Sequence, residues 1–585
     1  METVSKVCQS CKNPFQIDES DFAFYEKMEV PPPTWCPECR MIRRMAFWNE
    51  KNFFKKKDVN GREMLSTFPE ESPVKIVERD LWWRDEFEAT DYGREYDFSK
   101  PFFEQFRDLL FTVPFPARAG TTMVNSDYCN NSNNMKDCYM CFNCTTCEDS
   151  LYLVYVGPAK DCMDVLTCGE IESCYEVFQT GPSYQVFFST RAWNSKESYF
   201  INHVFNSTNC FGCVNLKNKQ YYIFNKPYSK EEYFEKLKEF DLGSYRKLTE
   251  TKDRSNKFAL EFPYHYMNIG AKSTNATGDA IFFSKDIKHS FCVGGGENVR
   301  YSQNTYMNIK DCADYTNWGA NAELVYESVE CGDGIHNIKF CYGCAGGSRD
   351  LEYSAACIAT EDSFGCVGLR KKKYCILNRQ YSKEEYKKLR EKIIEHMKKM
   401  PYKDKQGRVY TYGEFFPMDM APFAANETAL MDWSDLNKEK AIQHGLTWRE
   451  IKPSQYKATM KAEDLPDHIK DVPDTITGET ILCFDCKAAY RIIPKELDFY
   501  RRFNLALPRL CFNCRHKNRT KLRNLPRLYD RYCTCAGTLS ENKVYNNIFE
   551  HFHGTESCKV KFQSPYAPDN PKIIYCEPCW LKELV

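Results

Sequence analysis

Paired cysteines are the residues most able to do chemistry in this chain. Cys8 and Cys11 are followed by Cys36 and Cys39, and far downstream Cys483 and Cys486 are followed by Cys511 and Cys514. In both sets the first and third cysteines are 28 positions apart. A Cys-x2-Cys knuckle aims two thiolates at one ion, and two knuckles complete a tetrahedral sulfur shell for zinc. Four protein ligands leave no open position, so such a centre is structural. An all-thiolate shell also suits iron, and zinc is the expectation. A third group lies at the C-terminus: Cys533, Cys535, Cys558, Cys576 and Cys579, with His551 and His553. Cys533, Cys535, Cys576 and Cys579 are its first-choice ligands, and Cys558 or His553 could replace one of the first two. The expectation is two to three zinc ions per chain.

The segments around the first two sets repeat beyond their ligands. Phe15 matches Tyr490, Asp21 matches Glu496, Phe24-Tyr25 matches Phe499-Tyr500, Pro33 matches Pro508, and Arg40 matches Arg515. These are two copies of one small domain, and zinc would supply much of its folding free energy. The pattern CxxC, aromatic, acid, FY, Pro and CxxCR resembles a short zinc-ribbon family of unknown function. The run from Arg43 through NEKNFFKKKD, WWRDEF, YGREYDF and PFFEQF resembles large, uncharacterised cysteine-rich bacterial proteins that carry this ribbon twice. The resemblance implies zinc-ribbon architecture and no particular activity. The second copy departs from the first at Asn518, where the first has Arg43.

The elements between the ribbons must position them. From Asp137 to Cys213 the sequence repeats every twelve residues. One column reads Tyr139, Leu151, Met163, Tyr175, Phe187, Tyr199, Phe211. Two residues on, another reads Cys141, Leu153, Val165, Val177, Ser189, Ile201, Cys213. A polar column reads Asp137, Asp149, Asp161, Ser173, Gln185, Glu197, Asn209. Alternation of two within a fixed longer repeat predicts a stacked β-solenoid with one or two repeats per coil. A second stretch shows the same texture less evenly, with Phe291, Tyr301, Ala313, Tyr326, Phe340, Tyr353 and Phe364. Residues 211–233 (FGCVNLKNKQYYIFNKPYSKEEY) match 364–386 (FGCVGLRKKKYCILNRQYSKEEY) at constant offset, so the solenoid is duplicated. Ser229 with Glu232, and Ser382 with Glu385, predict capping boxes that start a helix over each solenoid end. Tyr386, Leu389, Ile393, Met397 and Met400 form the inward face of the second helix. Cys138, Cys141, Cys144 and Cys147 resemble iron–sulfur ligands in spacing. They fall into the repeat's columns, however, and read better as stacked buried thiols.

The fold class is therefore mainly β: a duplicated parallel β-solenoid with helical caps, flanked by N- and C-terminal zinc ribbons. The expected layout is a ribbon (1–57), an aromatic-rich connector with a helix (58–120), solenoid copies with cap helices (121–245 and 246–400), a connector and linker (401–480), a second ribbon (481–531) and a C-terminal metal module (532–585).

Function is less legible. Residues 501–531 hold ten Lys/Arg and one acid, and residues 40–57 hold seven against Glu50. Cationic side chains with interleaved aromatics attract phosphates and stack on bases. The leading expectation is a non-catalytic nucleic-acid-binding protein, RNA slightly favoured over DNA. Arg515, Lys517, Arg519, Lys521 and Arg523 would make the contacts, with Arg40, Arg43 and Arg44 assisting. The alternatives are a protein-interaction scaffold and an enzyme using Asp164 and Glu176 on the solenoid face. No phosphate loop, nucleophile elbow or HExxH motif supports catalysis. The 585 residues carry 80 Lys+Arg against 81 Asp+Glu, so net charge selects no partner. Thirty-one cysteines without an apolar leader or a membrane-length apolar run predict a reduced, cytoplasmic protein without a membrane partner.

Overall fold

Every third residue of the first solenoid turns a corner. Asp137, Met140, Asn143, Thr146 and Asp149 all adopt the left-handed region, with φ of 51–55°. The polar column is a column of such corners, which explains its Asp, Asn and Ser content, since short polar side chains tolerate this region best. Parallel registers Leu151↔Met163↔Tyr175 and Phe187↔Tyr199↔Phe211 join residues twelve apart, so each coil is one repeat. Four corners divide the coil into four sides of three residues. Corner amides donate to the preceding coil, as in Asp149 N to Lys136 O at 3.0 Å and Tyr152 N to Tyr139 O at 3.0 Å.

The residue one past each corner points inward. Met135, Cys138, Cys141, Cys144, Cys147, Leu153, Val165, Cys174 and Val177 all belong to this core. The interior period is therefore three within twelve, and the expected alternation of two is corrected. The Tyr139–Phe211 column is stacked in register as expected, but it lines the outside of the coil, under other elements.

Serine and cysteine serve the interior in the same way. Ser150 Oγ donates to Glu148 O at 2.8 Å and accepts from Cys162 N at 3.1 Å. Cys162 Sγ in turn donates to Lys160 O at 3.2 Å and accepts from Cys174 N at 3.4 Å. Each small side chain thus bonds back to a carbonyl of its own coil and gives an acceptor to an amide of the next. Cys138, Cys141, Cys144 and Cys147 fill the four sides of one coil. Each donates to the carbonyl two residues back, at 3.3, 3.6, 3.3 and 3.5 Å.

The second solenoid uses the same corners with coils of uneven length. Registers run eleven residues from Thr274 to Lys285, twelve from Val293 to Thr305 and thirteen from Cys312 to Val325 and Val325 to Ile338. The inserted residues break the sequence period. Ala313 pairs with Tyr326, but Tyr326 pairs with Lys339, so Phe340 and Tyr353 are corners rather than members of that column.

The duplicated ends match in detail. Asn225 makes both backbone hydrogen bonds to Val214, and Asn378 makes both to Val367. Ser229 and Ser382 form the expected capping boxes, opening helices Lys230–Leu237 and Lys383–Lys399. Tyr386, Ile393 and Met397 are buried on the second helix.

The structure, a computed structural model, describes residues 3–84, 86–270, 272–450 and 456–584. It divides into two units built from discontinuous segments. One comprises Met1–Ala119, Met267–Arg449 and Leu525–Leu528; the other comprises Gly120–Tyr266, Glu450–Asn524 and Tyr529–Val585. Each unit thus holds one solenoid and one ribbon, and the N-terminal ribbon belongs with the second solenoid. No helix among the described residues is long and apolar enough to cross a membrane.

Candidate metal centres

Hairpin Val4–Val7/Pro14–Ile17 carries the knuckle Cys8–Cys11 at its turn. Helix Pro37–Met45 carries the other, with Cys36 as its N-cap and Cys39 in its first turn. All four Sγ atoms lie within 4.8 Å of one another. Cys11 and Cys36 Sγ are 3.7 Å apart, far beyond the ~2.05 Å of a disulfide. A tetrahedral zinc with Zn–S of ~2.3 Å requires sulfur–sulfur edges of about 3.8 Å, so the donor set fits the ion. Cys36 N donates to Cys8 Sγ at 3.3 Å. The second ribbon repeats this geometry: Cys486 and Cys511 Sγ are 3.6 Å apart, Cys511 N donates to Cys483 Sγ at 3.3 Å, and Cys511 caps helix Phe512–Thr520.

The clustered thiols shift one another's ionisation. Hydrogen bonds from Cys36 and Cys39 hold the Cys8 thiol well below its usual range, while burial pushes Cys511 up to about 12.

The C-terminal module has two ligand sets. Cys533, Cys558, Cys576 and Cys579 form one, and Cys535, His551, His553 and Cys579 form the other. Of the first-choice residues, Cys533, Cys576 and Cys579 fall in one set with the alternative Cys558, and Cys535 falls in the other with His551, His553 and Cys579. The module otherwise copies the ribbons. Cys576 caps helix Glu577–Glu583, Cys576 N donates to Cys533 Sγ at 3.2 Å, and Cys558 and Cys576 Sγ are 3.8 Å apart.

The arginines expected to meet nucleic acid turn inward instead. Arg40, Arg43 and Arg44 are at most 1% exposed. Arg40 reaches Asp314 at 2.8 Å, Arg43 reaches Glu327 at 2.6 Å and Glu414 at 2.8 Å, and Arg44 reaches Asp314 at 3.0 Å. In the other unit Arg515 Nε and Arg519 Nη2 both donate to Asp164 at 2.7 Å. Arg523 is buried beside the Tyr155 ring. All six arginines are buried, away from where a nucleic acid could meet them. Only Lys517 and Lys521 of the named residues are exposed. Helices Pro37–Met45 and Phe512–Thr520 carry Arg40, Arg43 and Arg44, and Arg515 and Arg519, on the side that meets the solenoid acids.

The two docks are the same dock. Arg40 lies over Tyr301 at 5.5 Å and pairs with Asp314, one coil on; Arg515 lies over Tyr152 at 5.0 Å and pairs with Asp164, one coil on. Tyr301 OH donates to Asp21, and Tyr152 OH donates to Glu496, the matching acid. Phe24 and Tyr25 pack on Tyr326 as Phe499 and Tyr500 pack on Tyr175. Residue reading from sequence missed Asp314, Glu327 and Glu414. The spacing Tyr152, Asp164, Glu176 against Tyr301, Asp314, Glu327 was the available signal. The acid pair considered for catalysis is engaged in ion pairs: Asp164 with arginines and Glu176 with Lys252 at 2.7 Å.

No family model and no curated protein matches the chain. Among solved structures, a Desulfovibrio desulfuricans G20 protein with the provisional description of acetyltransferase aligns over 48% of this chain and 86% of its own. The identity is 10% and the TM-score 0.10, a likeness that carries no argument about fold or activity.

Proposed function

We propose that the chain is a zinc-stapled, non-catalytic scaffold that binds a protein partner. Zinc is favoured over iron because one ligand set includes two imidazoles and all sets are closed four-ligand shells. The resemblance of both ribbons to a zinc-ribbon family points the same way. The ribbons' role is internal: each metal knuckle fixes the helix whose arginines lock a solenoid. No disulfide joins any of the 31 cysteines, which supports a reducing compartment such as the cytoplasm.

The observation that carries the partner reading is a loop of the C-terminal module. Val544, Ile548, Phe549 and Phe552 are 51, 56, 53 and 64% exposed. This loop is also anchored, since Ile548 N donates to Glu583 at 2.9 Å and Phe552 sits between His551 and His553. Large apolar side chains held rigidly in water mark an interaction surface. The test is photocrosslinking in cells from benzoylphenylalanine at position 549, with position 184 as the control. One discrete protein adduct from 549 alone is expected. Crosslinking to RNA, or equal yields at both positions, overturns the reading and returns nucleic acid to first place.

A further inference from the structure

The two ligand sets of the C-terminal module share one residue, Cys579, and no other. Two separate tetrahedral ions need eight donor positions, whereas the module supplies seven residues: Cys533, Cys535, Cys558, Cys576, Cys579, His551 and His553. A thiolate that bridges counts twice, and seven residues then complete two shells. We infer that the module holds a binuclear zinc centre in which the Cys579 thiolate bridges one ion in an all-sulfur site and a second ion in a two-sulfur, two-imidazole site. The inference rests on reading the cysteine sets as metal centres.

The second set is built as a metal site and not as a loose cluster. Cys535 Sγ is 3.2 Å from His551 Nδ1, and Cys579 Sγ is 3.3 Å from His553 Nε2. A tetrahedral zinc with Zn–S of ~2.3 Å and Zn–N of ~2.0 Å sets that edge near 3.5 Å. Each imidazole has its far nitrogen held. His551 Nε2 is 2.9 Å from Glu583 Oε1, and His553 Nδ1 is 2.7 Å from Glu556 O. Both acceptors require a proton on the far nitrogen, which leaves a lone pair on Nδ1 of His551 and on Nε2 of His553, aimed into the site. Glu583 is itself fixed, being buried and accepting from Tyr545 OH at 2.7 Å and Ile548 N at 2.9 Å. Asn547 Nδ2 donates to Cys535 Sγ at 3.2 Å, and Tyr575 OH holds Asn547 Oδ1 at 2.7 Å.

Charge favours the pair of ions. A lone tetrathiolate zinc keeps two net negative charges, while five thiolates with two dications keep one. Binding the second ion therefore relieves the first. Both shells are closed, so the centre organises the exposed loop of residues 544–552 and performs no chemistry of its own.

The test uses the full chain loaded with 113Cd. Four ions per chain are expected, with three all-sulfur resonances and one shifted by nitrogen ligation. Scalar coupling should join that last resonance to one of the others through the shared sulfur. The double variant His551→Ala, His553→Ala should bind three ions and lose the coupling, with the ribbon resonances unmoved. Three ions in the wild-type chain, or four without a coupled pair, overturn the bridge while leaving the separate metal centres standing. Fewer than two ions would remove the metal reading altogether. Should the double variant fail to fold, the wild-type count and coupling still decide.

Discussion

Replacing Asp164 by Asn tests the lock between ribbon and solenoid at its most loaded point. The carboxylate is fully buried and receives charge-assisted hydrogen bonds from Arg515 Nε and Arg519 Nη2, both at 2.7 Å. Asparagine keeps the shape but offers one acceptor oxygen, and it turns an amide donor toward a guanidinium. Both arginines stay buried, and Glu496 remains 3.4 Å from Arg515 Nη2 as a partial substitute. Removing one member of a buried ion pair costs about 3–5 kcal/mol, and the residual Glu496 contact places this case near the lower end. Since about 1.4 kcal/mol is tenfold, protection against hydrogen exchange should fall by about two orders of magnitude. The fall should appear in peptides spanning 151–178 and 511–520. Matching peptides of the other unit, 301–329 and 36–45, provide the internal reference. Salt up to 0.5 M should not alter the difference, because the pair is shielded from the ionic atmosphere. Replacing Asp164 by Leu and Glu496 by Gln together with Arg515 and Arg519 by Met should recover much of the loss, since no charge is then stranded. A change below tenfold, or one spread equally over both units, would refute the lock.

Three further outcomes follow from the same structure. Stripping metal with a strong chelator should deprotect solenoid peptides as well as ribbon peptides in hydrogen exchange; loss confined to the ribbons would show that the metals do not support the solenoids. Cys144→Ser should leave stability within about 1 kcal/mol, because the hydroxyl keeps the bond to Phe142 O, whereas Cys144→Leu should cost about 1–3 kcal/mol by overpacking. Iron in the purified protein that disappears with Cys144→Ser would contradict this. Burial, and next the Arg191 guanidinium, hold His203 well below the usual imidazole value of 6.5. The folded state keeps it neutral while the unfolded chain takes a proton, so stability falls as pH drops through 6.5, by about 1.4 kcal/mol between pH 7.5 and 5.5. Urea denaturation of His203→Gln should lack that increment, and an unchanged slope would rule it out.

The coil repeat was readable because twelve residues recur without insertion from Asp137 to Cys213, and the Tyr139 column is in register throughout. The interior period was not readable. Val165 and Met163 are both apolar, both buried and two residues apart, which mimics a strand with one apolar face. In fact Val165 points into the coil and Met163 points out, under the ribbon side of the unit. Sequence spacing cannot separate two apolar columns when the outer one is covered. The second solenoid was misregistered at Phe340 for a simpler reason: inserted residues lengthen its coils to thirteen. The ligand knuckles were legible because their spacing is local. The fate of Arg515 was not, since its partner Asp164 lies 351 positions away. Charge density along the chain measures what is nearby in sequence, and these arginines are neutralised from the far side of the duplication.

Why a ribbon should lock a solenoid follows from the solenoid's own local energetics. Three-residue sides place a left-handed residue at most corners, and many of these are not Asn, Asp or Gly: Met140, Thr146, Tyr152, Tyr155, Glu176 and Phe188 among them. Each such residue costs about 1–2 kcal/mol relative to right-handed backbone. The narrow interior limits compensation, for it accepts mainly Cys, Ser, Val and similar small side chains. Burial must then be found outside the coil, and the large residues of the Tyr139 column and the corner tyrosines supply it once something covers them. The ribbon is a cover too small to hold its own fold by apolar burial. Metal binding would hold it, and the helix that follows the second knuckle carries that rigidity to Arg515 and Arg519, or to Arg40 and Arg44 in the sister unit. The strained coil and the under-cored ribbon are each incomplete alone, and the buried Asp–Arg contact is where the two deficits meet.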